Sequence, residues 1–144
     1  MSNTADDNKA RLRRALTAYS EGDVGPLREM VDPDVIYHSH SPHSLFRSGG
    51  RHEGVANALA AMSALASDYA IHSYRVRELA GEANIVWSIA EIDATYRRKR
   101  ARFTITLAVR WEFRDGRIVG VEEYFDSGTA ALKQGLVTAV ASRK

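Results

Sequence analysis

The segment "ARFTITLAVRWEF", Ala101 to Phe113, constrains this chain more than any other. Its seven odd positions, Ala101, Phe103, Ile105, Leu107, Val109, Trp111 and Phe113, are all apolar, and most residues between them are polar. Side chains along a strand alternate between two faces, so this pattern predicts a long strand with its odd positions turned to the core. Around it, the breaks "AGEAN", "RRKR" and "RDG" are short and rich in turn or charged residues. They divide Tyr69 to Phe125 into a meander of long antiparallel strands joined by hairpins.

The preceding strand, "IVWSIAEIDAT", carries Ile85, Trp87, Ile89, Glu91 and Asp93 at odd positions. If these share the inward face, two carboxylates close a row of large apolar groups. The facing of the last strand, "RIVGVEEYF", depends on loop length. A three-residue loop, Arg114 to Gly116 with Gly116 in a left-handed bulge position, keeps Val119, Val121, Glu123 and Phe125 inward. A two-residue loop would turn Ile118, Glu122, Tyr124 and Asp126 inward instead. Glycine last after aspartate favours the first, and Glu123 then faces the same volume as Glu91 and Asp93.

The N-terminal part reads as helical. Ala10, Leu12, Ala15, Leu16 and Tyr19 fall near one helical face, with Asp6 and Asp7 at the positive end of the helix dipole. "VGPLREMV" suggests a short second helix with Pro26 near its start, "DVIYHSH" a short strand, "SPHSLFRSGGRHEG" a loop, and "VANALAAMSALA" a third helix. Asp126 suits the N-cap of a closing helix, "SGTAALKQGL". The fold class expected is α+β: N-terminal helices packed on a strongly curved antiparallel sheet that forms a cone with an internal pocket.

At 144 residues, one domain over 1–144 suffices. No apolar run approaches a membrane span, and the acidic start "MSNTADDNKARLRRAL" lacks the pattern of a secretory signal. With no cysteine, disulfide and thiol chemistry are excluded, and a cytoplasmic location is the expectation. A net charge of +2 gives no footprint for nucleic acid, and basic residues are not interleaved with aromatics in a binding motif. The basic run "RRKRAR" reads as a charged hairpin tip that discourages edge pairing.

The order of elements, the "YHSHSP" strand and loop ahead of a helix, and the ending "FRDGRIVGVEEYFDSGTAAL" resemble the nuclear-transport-factor-2-like superfamily, especially its SnoaL-like and ketosteroid isomerase-like branches. That resemblance covers nearly the whole chain and implies the cone fold and a homodimer formed through the sheet's outer face. The even positions Val86, Ser88, Ala90, Ile92 and Ala94 would supply a flat surface for that dimer. "AEIDA" followed by "GRIVGVEEYFD" is similar to limonene-epoxide hydrolases. Asp93 matches the first aspartate of that family, Glu123 stands at the second, and Tyr37 and Ser39 fall where its water-holding tyrosine and asparagine lie. Its arginine position is occupied by Glu91. Against ketosteroid isomerase, the base falls at Ser39 and the oxyanion aspartate at Val109, and neither residue can do that work. SnoaL-like cyclases imply instead a polar pocket in which an acid and a histidine, here Asp93, Glu123 and His38 or His40, move protons.

The resulting expectation is cofactor-free acid–base catalysis on a small hydrophobic molecule, as an isomerase, cyclase, dehydratase or hydrolase. Asp93, Glu123, Glu91, Tyr37 and His38 are its candidate catalytic groups, and Ser39, His40, Trp87, Phe103, Val109 and Trp111 its candidate substrate contacts. Three carboxylates in an apolar cone cannot all ionise cheaply, so one should hold its proton near neutral pH. His38 and His40 alternate along one strand face and can converge, but with His43 in a loop the cluster is expected to line a pocket mouth and hold no metal. The plainer alternatives are acids at a solvated strand end, paired with the arginines of "RRKR", and a non-catalytic ligand-binding or dimerising module of the same fold.

Overall fold

In the computed structural model, residues 4–140 are described; 1–3 and 141–144 of the expected domain lie outside the described residues. The chain runs α1 (Thr4–Ser20), α2 (Gly25–Met30), β1 (Val31–Ser39), β2 (Gly50–Glu53), α3 (Val55–Asp68), β3 (Tyr69–Glu82), β4 (Ile85–Tyr96), β5 (Ala101–Arg114), β6 (Arg117–Tyr124) and α4 (Ser127–Lys133). The architecture is the expected α+β one. A six-stranded sheet has the order β2-β1-β6-β5-β4-β3, and α1 lies against β3 and β4 while α3 lies against β1. No described helix is long and apolar enough to cross a membrane.

Two features depart from a simple meander. β1 pairs in parallel with β6, so the sheet is mixed. β2, which pairs antiparallel with β1, lies inside the segment expected to be loop. Its four residues alternate half-buried and exposed, too short a run to be told from loop by periodicity. Curvature comes from register shifts in β3 at Ile71/Ser73 and Val76/Glu78, where an extra residue bends the strand.

The core lies between the helices and the concave sheet face. Leu12, Ala15 and Leu16 of α1 and Ala58 and Ala61 of α3 meet Val86 and Ile92 of β4, the odd residues Phe103, Leu107, Val109, Trp111 and Phe113 of β5, and Ile118 and Val121 of β6. Ala10 stands outside the buried face of α1, which Ala5 and Asn8 complete. β5 thus faces as its alternation requires. β4 does not: its even positions Val86, Ser88, Ala90, Ile92 and Ala94 are the buried ones, so they form the inner wall and not an outer dimer surface.

Hairpin arithmetic accounts for both ends of β5. The four-residue loop Arg97–Arg100 pairs Tyr96 with Ala101, and residues directly opposite share a face, which sends even positions of β4 inward with odd positions of β5. At the other end, Arg114 pairs with Arg117 and Phe113 with Ile118. The loop is therefore the two residues Asp115 and Gly116, with φ of 52° and 74°, the left-handed pair that an Asp-Gly hairpin turn requires. One pair later Glu112 lies opposite Gly120, leaving Val119 as an extra residue. This bulge shifts the alternation back, so Val121 and Glu123 face inward despite the shorter loop. Asp126 caps α4 as expected, its side chain accepting from the Thr129 amide at 3.0 Å.

Candidate functional site

The cone encloses a cavity of about 440 Å³, within the size range of small-molecule sites. Its floor is built by the inward residues of β4 to β6, including Ile92, Ala94, Phe103, Val109 and Trp111. The lining residues Val24, Leu59 and Ile71 are also exposed, which puts the mouth beside α2, α3 and the start of β3.

Polar groups reach this apolar volume at few points, and Glu123 of β6 is the one carboxylate among the described lining residues. It is half-buried and lines the cavity. Burial pushes its carboxyl up to about 7, because an ion there would lose most of its hydration. The hydroxyl of Tyr37, itself buried, donates to Glu123 Oε1. Parallel pairing of β1 and β6 brings the two together, placing Tyr37 opposite Val121 and Ser39 opposite Glu123. Both Tyr37 and Ser39 therefore face inward. Ser39 Oγ lies 2.9 Å from Ser41 Oγ. Tyr19 of α1 comes from the other wall; burial, and secondarily the charge on Glu123, raise its phenol above the ordinary value, so it stays protonated. Its ring meets Tyr74 edge to face at 5.2 Å. A second polar point is formed where Tyr69 donates to Gln134.

Of the expected catalytic set, Glu123 and Tyr37 meet in the cavity. Glu91, Asp93 and His38 do not. As odd residues of β4, Glu91 and Asp93 project from the outer face. Arg77 and then Arg75 hold the Glu91 carboxyl below its ordinary range, and Arg102 does the same for Asp93 through bonds of 3.0 and 2.7 Å. His38 of β1 and His40, the residue just after its end, also face outward; their rings stack at 4.0 Å, and His40 stacks in turn on Tyr124 at 4.2 Å. Neither lines the cavity.

Among the expected substrate contacts, Ser39, Phe103, Val109 and Trp111 line the cavity, and His40 and Trp87 do not. Trp87 is 41% exposed on the outer face, near Tyr124. Its bulk suggested a core position, but alternation with the small residues Val86 and Ser88 puts it outside. Trp111 is fixed in the wall by its indole N–H, which donates to Ser88 Oγ at 2.9 Å. Sequence reasoning missed Tyr19, Tyr69, Tyr74 and Gln134 as cavity groups. The first was read as apolar helix face, and the last sits in the closing helix region with no periodic signal.

Among curated proteins none matches the sequence. An NTF2-like protein of unknown function from Burkholderia pseudomallei superposes with a TM-score of 0.78 at 19% identity, over 91% of this chain and 96% of that one. TerC, co-crystallised with polyporic acid, gives 0.77 at 16% identity over 89% and 98%. Bal32a, from a soil-derived mobile gene cassette, gives 0.75 at 22% over 89% and 95%. At these identities the likeness is one of fold. The SnoaL-like domain pattern, in contrast, matches residues 12–121, from the first core helix to the inward-facing Val121. The chain belongs to the SnoaL-like domain family, and its fold is the one seen in those NTF2-like neighbours.

Proposed function

We propose that the cavity performs proton-transfer chemistry on a small hydrophobic substrate, with Glu123 as its acid–base group and Tyr37 holding that carboxyl in place. The observation that carries this reading is a carboxyl with a pKa of about 7, enclosed in an apolar cavity of about 440 Å³. Such a group is divided between acid and base near neutral pH, the condition under which general acid–base catalysis is most effective. As the carboxylate it takes a proton from carbon next to a carbonyl, and as the acid it returns one. Protonated Tyr19 and the hydroxyl of Ser39 are the donors available to an oxyanion on the substrate. The proton moves between the chain's own side chains and the substrate, so the step calls for no cofactor. An isomerase or cyclase reaction fits one carboxylate better than epoxide opening, which in the resembling family needs a second acid and an arginine.

A substrate of this site is largely apolar, with one or two oxygen functions meeting Glu123 and the Tyr69–Gln134 pair. The fold neighbour TerC, co-crystallised with polyporic acid, is in keeping with a small organic ligand. The reading includes a homodimer through the outer sheet face. That part is supported by the exposed aromatics Trp87 and Tyr124, whose ring centroids lie 6.1 Å apart, and light scattering tests it.

The non-catalytic binding module is the second reading, favoured by the outward placement of Glu91 and Asp93, which leaves Glu123 without an acid partner. Exchange of deuterium from solvent into small cyclic ketones, followed by NMR, separates the two. Wild-type protein should exchange the α protons faster than buffer, and Glu123→Gln should slow this by about a hundredfold or more. Exchange at the buffer rate, together with an ordinary glutamate titration for Glu123, would leave the binding module.

A further inference from the structure

On the reverse side of the strand pair that carries Tyr37 and Glu123, three potential metal ligands converge. His38 projects outward from β1, His40 from the residue just past its end and Glu122 from β6, and one ligand atom from each lies within 4.8 Å of the others. The arrangement is fixed by backbone: His38 is the register partner of Glu122, and the His40 amide donates to the Glu123 carbonyl at 2.9 Å, extending the pairing by one residue. His40 Nε2 already lies 3.1 Å from Glu122 Oε2, close to the ligand–ligand separation around an ion bound at about 2 Å.

We propose that His38, His40 and Glu122 form a binding site for a divalent transition metal, Zn²⁺ or Cu²⁺, on the outer face of the sheet, separate from the cavity. Two imidazole nitrogens and one carboxylate oxygen suit these borderline ions; Ca²⁺ and Mg²⁺ prefer oxygen alone. The ligand atoms already lie within 4.8 Å of one another, so taking up an ion asks the stacked rings of His38 and His40 for a further turn toward Glu122. Three protein ligands leave a fourth position for water or, in the proposed homodimer, for a donor from the second copy packed on this face. Glu122 also accepts from the Tyr124 hydroxyl at 2.7 Å, a contact of the kind that orients a ligating carboxylate. Arg110, 3.7 Å from Glu122, competes with the ion for the carboxylate, and Arg51, opposite His38 on β2, adds positive charge. The site therefore binds more weakly than a buried structural zinc centre. When filled, it ties β1 to β6 on the outside and stabilises the folded chain by mass action.

Calorimetric titration with Zn²⁺ alone tests this. Wild-type protein should take up one equivalent, with a rise in melting temperature. His38→Asn, His40→Asn and Glu122→Gln should each weaken binding by about tenfold or more. Arg110→Ala should tighten it, a change opposite in sign to any loss of fold. His72→Asn, at a histidine bonded to Thr95 elsewhere on the surface, should leave it unchanged. For variants that fail to fold, Cu²⁺ added to the wild type decides the matter: amide resonances should broaden around 37–41 and 121–124. No saturable binding, binding unaffected by the three ligand variants, or broadening centred on other histidines would overturn the proposal.

Discussion

The hydroxyl of Tyr37 on β1 donates to Glu123 on β6 across 86 residues of sequence. The bond stabilises the ionised carboxyl more than the neutral one, so it opposes the effect of burial. Tyr37→Phe should raise the Glu123 pKa further above about 7 and move the acid limb of a pH–rate profile to higher pH. The bond also stabilises the fold: its loss should cost about 1.5–3 kcal/mol while Glu123 is ionised, and less once it is protonated. Denaturation at two pH values, one on each side of the Glu123 pKa, measures the difference.

The raised pKa of Glu123 has a second consequence. The folded chain holds this proton up to about 7, whereas the unfolded chain releases it near the model value of 4.5. Between those values the folded state binds more protons, so the stability contributed by protonated Glu123 is complete below pH 4.5 and is lost as pH rises to about 7. At about 1.4 kcal/mol per pKa unit the loss amounts to a few kcal/mol. Glu123→Gln carries no titrating group and should remove this slope. Urea midpoints for the two proteins at steps across that range, subtracted from each other, test it; parallel curves would mean that Glu123 titrates normally.

Legibility in the sequence followed side-chain size and parity. β5 was readable because its large residues all fall on one face. β4 was not, since Trp87 and Ile89 are large and outside while Ser88, Ala90 and Ala94 are small and inside, leaving room for the cavity. The corrective signal was present: a loop of four residues at Arg97–Arg100 pairs Tyr96 with Ala101, and this alone sends Glu91 and Asp93 outward. Glu123 faces inward, but not through the turn chemistry that Asp115-Gly116 suggests. The glycine bulge expected in the loop is absent, and a bulge at Val119, beside Gly120, restores the same parity. His38 and His40 adjoin the cavity residues Tyr37 and Ser39 in sequence, but successive residues of a strand point to opposite sides.

The outward acids supply a control for the catalytic reading. Glu91 is paired with Arg75 and Arg77, and Asp93 with Arg102, all on the solvated face. Ion pairs so placed contribute little to stability. Glu91→Gln and Asp93→Asn should leave deuterium exchange and ligand affinity unchanged while Glu123→Gln slows exchange by about a hundredfold or more. A loss of activity in Asp93→Asn equal to that in Glu123→Gln would place the chemistry on the wrong side of the sheet.

Behind the cavity, the contact between Trp111 and Ser88 is the most demanding polar feature of the core. Both residues are buried, Ser88 completely, and the indole N–H finds its acceptor in Ser88 Oγ at 2.9 Å. Among the described residues no buried side-chain nitrogen or oxygen lacks a partner, so Ser88→Ala would create an unpaired donor where water has no ready access. That should cost about 1–3 kcal/mol. The double variant Ser88→Ala with Trp111→Phe removes donor and acceptor together, so its loss should be smaller than the sum of the two single losses, apart from the volume lost with the indole. Urea denaturation of the four proteins gives the coupling. Strict additivity would mean that Trp111 is held by packing alone, and the cavity wall it forms would then owe nothing to the serine.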